Sequence, residues 1–94
     1  MKLRFDKRFP EDLAEAIEWY RQVSPEACRK LRTAVQQRIT SIRMFPESFQ
    51  LLTTRQGHRG SPIPGFPWMI VFRIENDIIR LLRIVHLASD WHRS

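Results

Sequence analysis

Arg73, Arg80, Arg83 and His86 stand close together near the end of a 94-residue chain, set among isoleucine, leucine, valine and phenylalanine. A guanidinium is costly to bury without a partner, so each of these arginines must reach water, a sheet edge or an acid. A neutral imidazole can serve as a general base near neutral pH, and arginine can stabilise a pentacovalent phosphorane. Arg59 beside His58, and His92 near the terminus, offer the same two groups elsewhere. A metal-independent RNA-cleaving site could therefore be assembled from Arg59, Arg83 and His86. Two plainer accounts stand beside it. One is an ordinary solvated sheet face with Glu75, Asp77 or Asp90 as partners. The other is a cationic groove for phosphates or for a partner's acidic peptide.

Other chemistry is poorly supplied. Three dispersed histidines without clustered carboxylates make no metal site, and a single cysteine allows neither a disulfide framework nor a cysteine-rich zinc site. There is no phosphate-binding loop, dinucleotide fingerprint or helix-turn-helix, so no cofactor is expected. Cys28 reads as a reduced packing residue. Trp19, Tyr20, Trp68 and Trp91 read most simply as core and cover.

The elements that must position these groups follow from periodicity. Lys2 to Phe5 alternates polar and apolar, which predicts a short strand. Phe9, Leu13, Ile17 and Tyr20 form one stripe of a first helix, with Asp6 as a cap and Pro10 in the first turn. Ser24 and Pro25 predict a stop and a restart, and Leu31, Val35, Ile39 and Ile42 mark a second helix ending near Phe45-Pro46. Residues 46–67 hold all three glycines and four of the six prolines, so they read as irregular chain with a short edge strand at 51–54 or 58–63. Residues 68–74 are apolar on both faces and predict a central strand. Glu75-Asn76-Asp77 turns the chain, and Ile78 to His86 closes an antiparallel hairpin. Simple alternation puts Arg80 and Arg83 on opposite faces, and His86 on one face with Ile84 and Leu82.

Helices grouped before an antiparallel meander give an α+β fold. An antiparallel helical hairpin should cover one face of a twisted, mainly antiparallel sheet of three to four strands. Residues 1–94 form a single domain, because a chain this short has no room for a second core.

Charge narrows the partners. Sixteen Lys and Arg against ten Asp and Glu leave +6, which calls for nucleic acid or an acidic protein segment, although arginine-biased codons would give the same excess. Arg29, Lys30, Arg32, Arg38 and Arg43 lie on the second helix, where the acidic first helix and solvent account for them. Beyond residue 50, six cations meet only three acids. The longest apolar stretch, 68–72, is far too short to span a bilayer, and the N-terminus lacks the run of about seven apolar residues that a signal peptide needs. No membrane association is expected, and the cytoplasm is the expected compartment.

Five segments, taken in order, now carry a resemblance. They are Asp12-Leu13-Ala14-Glu15-Ala16-Ile17-Glu18-Trp19-Tyr20, Ser24-Pro25-Glu26-Ala27, Ile42-Arg43-Met44-Phe45-Pro46-Glu47, Phe66-Pro67-Trp68-Met69-Ile70-Val71-Phe72-Arg73 and the ending Leu82-Arg83-Ile84-Val85-His86-Leu87-Ala88-Ser89-Asp90-Trp91. Over almost its whole length the chain resembles the ParE/RelE superfamily of toxins from bacterial type II toxin–antitoxin modules, known also for plasmid stabilization. The resemblance implies a cognate acidic antitoxin whose otherwise disordered tail wraps the toxin, and it is compatible with a homodimer. It also implies one of two targets. RelE-like members cleave mRNA on the ribosome, using basic residues after the last strand and often a C-terminal tyrosine. ParE-like members inhibit DNA gyrase and cause growth arrest. Here the corresponding positions are Leu87-Ala88, and the only tyrosine is Tyr20, so the ending looks more like the ParE branch. The leading expectation is a gyrase inhibitor, with Arg59, Arg73, Arg80, Arg83, His86, Trp91, His92 and Arg93 meeting target or antitoxin. The alternatives are a ribosome-dependent endoribonuclease using Arg59, Arg83 and His86, and a non-toxic module that only binds its antitoxin.

Overall fold

A computed structural model describes residues 1–53 and 55–88. Trp91, His92 and Arg93, expected in a binding tail, and Asp90, a candidate partner for arginine, lie outside the described residues. Lys2–Phe5 forms strand β1, Arg8–Arg21 helix α1 and Pro25–Met44 helix α2. A single 3-10 turn, Pro46–Ser48, leads towards strands β2 (His58–Pro62), β3 (Trp68–Glu75) and β4 (Ile78–His86).

Local chemistry accounts for most of these boundaries. Ser24 adopts extended backbone angles and its hydroxyl accepts from the Ala27 N–H at 3.0 Å, while Pro25 occupies the first turn of α2. Pro46 stops α2 at Met44, because the residue before a proline is pushed out of the helical region. The expected cap from Asp6 does not form. Lys7 takes the cap position without a side-chain bond, because the Asp6 backbone is still committed to the sheet through its N–H to Leu81 O at 2.8 Å. Asn76 turns the β3–β4 hairpin at φ 55°, a conformation that asparagine tolerates better than most residues.

The four strands form an open mixed sheet in the order β1-β4-β3-β2. β1 runs parallel to β4, and the other two pairings are antiparallel. Of the two edge-strand positions expected in the irregular region, 58–62 becomes the strand, and Leu51 adds only an isolated bridge to Arg59. Gly60 lets that edge close: a Cβ there would stand 2.7 Å from Met69 Sδ and 2.9 Å from Leu52 Cδ2.

Both helices cover one sheet face. Phe9, Ala16 and Ile17 of α1 and Leu31, Val35 and Ile42 of α2 pack with Ile70, Phe72, Ile79, Leu81 and Ile84 of the sheet. The opposite face carries a smaller apolar cluster of Met69, Val71 and Val85, with Leu52 and Leu82 against it. The two clusters expose a register change. Val71 pairs with Arg83 and Phe72 with Leu81, so Leu82 is an extra residue on β4. This bulge resets the alternation. Leu82 therefore faces away from the helices while Ile84 faces them, and the expectation that the two share a face fails for that reason.

Phe72 is fully buried at the centre of the sheet, with its ring edge-on to Phe49 at 5.7 Å. Phe72→Ala is expected to lower unfolding free energy by about 3–5 kcal/mol in urea titrations, since the cavity cannot collapse between two packed layers. A loss below about 1 kcal/mol would mean that this packing is not realised in solution.

Candidate functional site

Strand register decides where the arginines go. Arg73 and Arg80 are cross-strand partners on the face away from the helices, and His58 stands opposite Arg73 on β2. Glu75 Oε1 lies 3.1 Å from Arg73 Nε and 3.5 Å from Arg80 Nε, so one carboxylate serves both. All three side chains are more than a third exposed, and such pairs contribute only about 0–1 kcal/mol. Glu75 is thus the partner that the solvated-face account expected for these two.

Arg83 is held differently. Its Nε donates to Asp12 Oδ2 at 2.7 Å and its Nη2 to Asp12 Oδ1 at 3.2 Å, a two-pronged pairing of guanidinium with carboxylate. The Ile84 N–H donates to the same Oδ2 at 3.0 Å. Asp12 is nearly buried, at 11% side-chain exposure, and Arg83 is 29% exposed. The hydrogen bond from Asp12 raises the Arg83 pKa, desolvation opposes it, and the charges of Asp12, Glu15 and Asp6 add to the rise. A raised arginine contributes stability that is fully present below its unfolded value and is lost only as pH climbs through its folded value. Arg83 itself therefore adds no pH slope in the neutral range.

Sequence reading had offered Glu75, Asp77 or Asp90 as partners for the strand arginines, and Asp12 was missed. A signal for it existed. Asp12 lies three residues after Phe9 and four before Ala16, both buried, so it is an acid on the apolar stripe of α1 and needs a cation. Among the described residues the remaining ion pairs of the helices stay within them, Arg21 with Glu18 and Lys30 with Glu26.

Arg59 points to the helix side of β2, where its Nη1 donates to Phe49 O at 2.8 Å and Glu47 O at 3.3 Å. That arrangement pins the chain after α2. His86 closes an aromatic notch of about 110 Å³ with Trp19, Tyr20, Pro67 and Trp68. Its ring stands edge-on to Trp68 at 5.0 Å, and its Nδ1 accepts from the Ala88 N–H at 3.1 Å. Accepting that bond assigns the proton of the neutral ring to Nε2. Arg59, Arg83 and His86 are therefore each engaged in a different place: the loop after α2, the side chain of Asp12, and the aromatic notch. Cys28 is buried, with Sγ 3.5 Å from Ile17 O.

Sequence reading allowed a cationic groove, but not one with this lining. Asp6, Arg8, Arg55, His58 and Arg83 wall a groove of about 360 Å³ whose floor is Val71 and Leu82. The bulge makes it: Leu82 drops to the open face while Arg83 turns towards α1. Sequence reading missed Arg8 and Arg55 because the packing of α1 and of the chain before β2, not spacing along the chain, brings them to this groove. Among the described residues no three His, Cys, Asp or Glu gather to hold a metal ion, and no helix is long and apolar enough to cross a membrane.

The model of the ParE toxin of the type II toxin–antitoxin system parDE matches residues 3–91, which takes in every element described above but the first residue of β1. The chain belongs to the ParE toxin family. Among solved structures, the chromosomal ParDE toxin–antitoxin system from P. aeruginosa contains a chain of similar fold, with a TM-score of 0.81 at 19% identity, covering 92% of this chain and 95% of that one. The E. coli DinJ–YafQ complex also contains a similar chain, with a TM-score of 0.56 at 9% identity, covering 96% and 97%. No curated protein matches the chain at a significant level. In this ParE-family chain the Asp12 carboxylate joins helix, strand and groove at one point. Asp12→Ala strands Arg83 and the Ile84 N–H, and is expected to cost about 3 kcal/mol. Asp12→Asn keeps one accepting oxygen, with a loss of about 1–2 kcal/mol in the same urea titration. Equal losses would show that the paired geometry contributes nothing.

Proposed function

We propose that this ParE-family toxin arrests growth by inhibiting DNA gyrase in the cytoplasm and is held inactive by a cognate acidic antitoxin. The observation that carries the reading is the family match across residues 3–91, which takes in the ending that resembles the gyrase-directed branch. The geometry supports binding over cleavage. Phosphodiester hydrolysis needs a base and a phosphate clamp on one reacting centre. Here Arg59 is spent on loop carbonyls, Arg83 on Asp12, and His86 sits in a notch with its Nδ1 occupied. Arg73 and Arg80, on the open face with a weakly held shared acid, are the arginines best placed to meet a partner, and the resemblance adds Trp91, His92 and Arg93 as binding residues.

Purified toxin is expected to block supercoiling of relaxed plasmid by gyrase and to leave ribosome-bound mRNA intact in primer extension. Unimpaired supercoiling at large molar excess would remove the gyrase reading, and discrete message cleavage abolished by His86→Ala would replace it with the nuclease one. Arg73→Glu combined with Arg80→Glu is expected to weaken gyrase inhibition by about tenfold or more, because rim charges govern encounter with an oppositely charged partner. Its melting temperature should stay near that of the parent, since the ion pairs removed are exposed.

A further inference from the structure

Helix α2 carries a row of cations that the fold leaves unused. Arg29, Arg32, Thr33, Gln36, Thr40 and Arg43 are all exposed, and helical periodicity sets them within a sector of about 100°, turned away from the buried Leu31, Val35 and Ile42. From Arg29 to Arg43 the row runs about 21 Å along the helix axis. The acids of α1 do not answer it. Asp12 is held by Arg83, Glu18 by Arg21, Glu15 lends its charge to Arg83, and Glu11 pairs with none of these arginines. Among the described residues Arg29, Arg32 and Arg43 have no hydrogen-bond or ion-pair partner. Arg38, on the inner side of the same helix, shows the contrast. Its Nε donates to Ser61 Oγ at 3.1 Å, and its guanidinium lies 5.2 Å from the centre of the Phe49 ring.

The surroundings of the row say what it fits. α2 stands as a ridge between two open depressions. One, of about 460 Å³, lies towards the end of α1 and is bordered by Arg21, Arg29 and Arg32. The other, of about 440 Å³, lies towards the β2–β3 loop and is bordered by Arg29, Lys30 and Gln37. Glu26 borders it too, paired with Lys30 at 3.5 Å. The major groove of B-form DNA is about 12 Å wide and admits an α-helix, with a phosphate backbone along each side. A ridge with cationic flanks matches that cross-section, and the row is long enough to cover about six base pairs. Arginine, threonine and glutamine are side chains that bond phosphates and base edges. Other partners fit less well. The row holds no aromatic ring for a single strand to stack on, and Phe66, which borders the second depression, packs edge-on against Tyr20 at 5.4 Å. The deep, narrow major groove of an RNA duplex excludes a helix. A protein interface needs an apolar anchor at its centre, and the exposed Met44 and Phe45 lie past the end of the row.

We propose that the exposed face of α2 is a binding surface for duplex DNA, on which Arg29, Arg32 and Arg43 neutralise phosphates while Thr33, Gln36 and Thr40 lie over the major groove. The full chain is titrated into a short fluorescein-labelled DNA duplex at salt concentrations from about 50 to 200 mM, with binding read by anisotropy. The logarithm of the association constant should fall linearly with the logarithm of salt, with a slope of about −3, because each neutralised phosphate contributes about −0.9. Arg32→Gln combined with Arg43→Gln should bring the slope to about −1 and weaken binding about tenfold or more at low salt. Arg29→Gln alone should reduce the slope by about one. Lys2→Gln combined with Arg4→Gln removes the same charge from β1, at the sheet edge opposite β2, and should change affinity by less than about twofold. All these variants should keep the parental melting temperature, since the residues replaced are exposed. Equal losses from the two double variants would reduce the effect to net charge and overturn the proposal. So would absence of duplex binding at low salt, or equally tight binding of an RNA duplex or a single strand of the same length. The titration contains no gyrase, so its failure leaves the gyrase reading standing.

Discussion

One carboxylate organises the domain. Asp12 accepts from Arg83 Nε, Arg83 Nη2 and the Ile84 N–H, all within 3.2 Å, at the point where β4 carries its extra residue. A bulge disrupts the strand ladder locally. The carboxylate of α1 takes up a backbone donor there and neutralises the adjacent guanidinium. Arg83 is thereby fixed against α1, and the strand can resume with Ile84 facing the helices. Removing one partner of so well enclosed a pair leaves an uncompensated charge, which is why the contact matters more than its net contribution suggests.

The same bulge separates two kinds of surface. Beneath the helices, alternation delivers a continuous apolar layer from β3 and β4. On the open face it delivers Arg73 and Arg80 around their shared Glu75, and Leu82, which with Val71 floors the groove walled by Asp6, Arg8, Arg55, His58 and Arg83. The net charge of +6 is therefore not one property. Much of it lies on α2, screened by solvent and by pairs such as Lys30 with Glu26. A smaller part borders the groove over Val71 and Leu82, where lower local dielectric strengthens each contact.

The two helices begin differently. Ser24 caps α2 with an ordinary hydroxyl bond, while α1 begins with Lys7 and Arg8 and no cap. Glu11 in the first turn of α1 offsets part of that unfavourable charge.

Much of the architecture was legible in the chain itself. The helical stripes, the Ser24-Pro25 restart, the stop before Pro46, the central apolar strand and the Asn76-Asp77 turn depend on residues only a few positions apart, and such signals survive whatever the rest of the chain does. Glu75 was legible too, since it lies two residues from Arg73 on the same strand face. Tertiary structure alone decided the bulge at Leu82, the choice of Asp12 for Arg83, the use of Arg59 as a loop clamp and the groove beside Arg8. The physical reason is the same for all four. Alternation along a strand holds only until a residue is inserted, and the insertion is set by pairing with β3. An arginine can satisfy its charge with any acid that the fold brings within reach. Asp12 lies 71 residues away from Arg83, and nothing in the spacing of the chain brings them together until α1 has packed across β4.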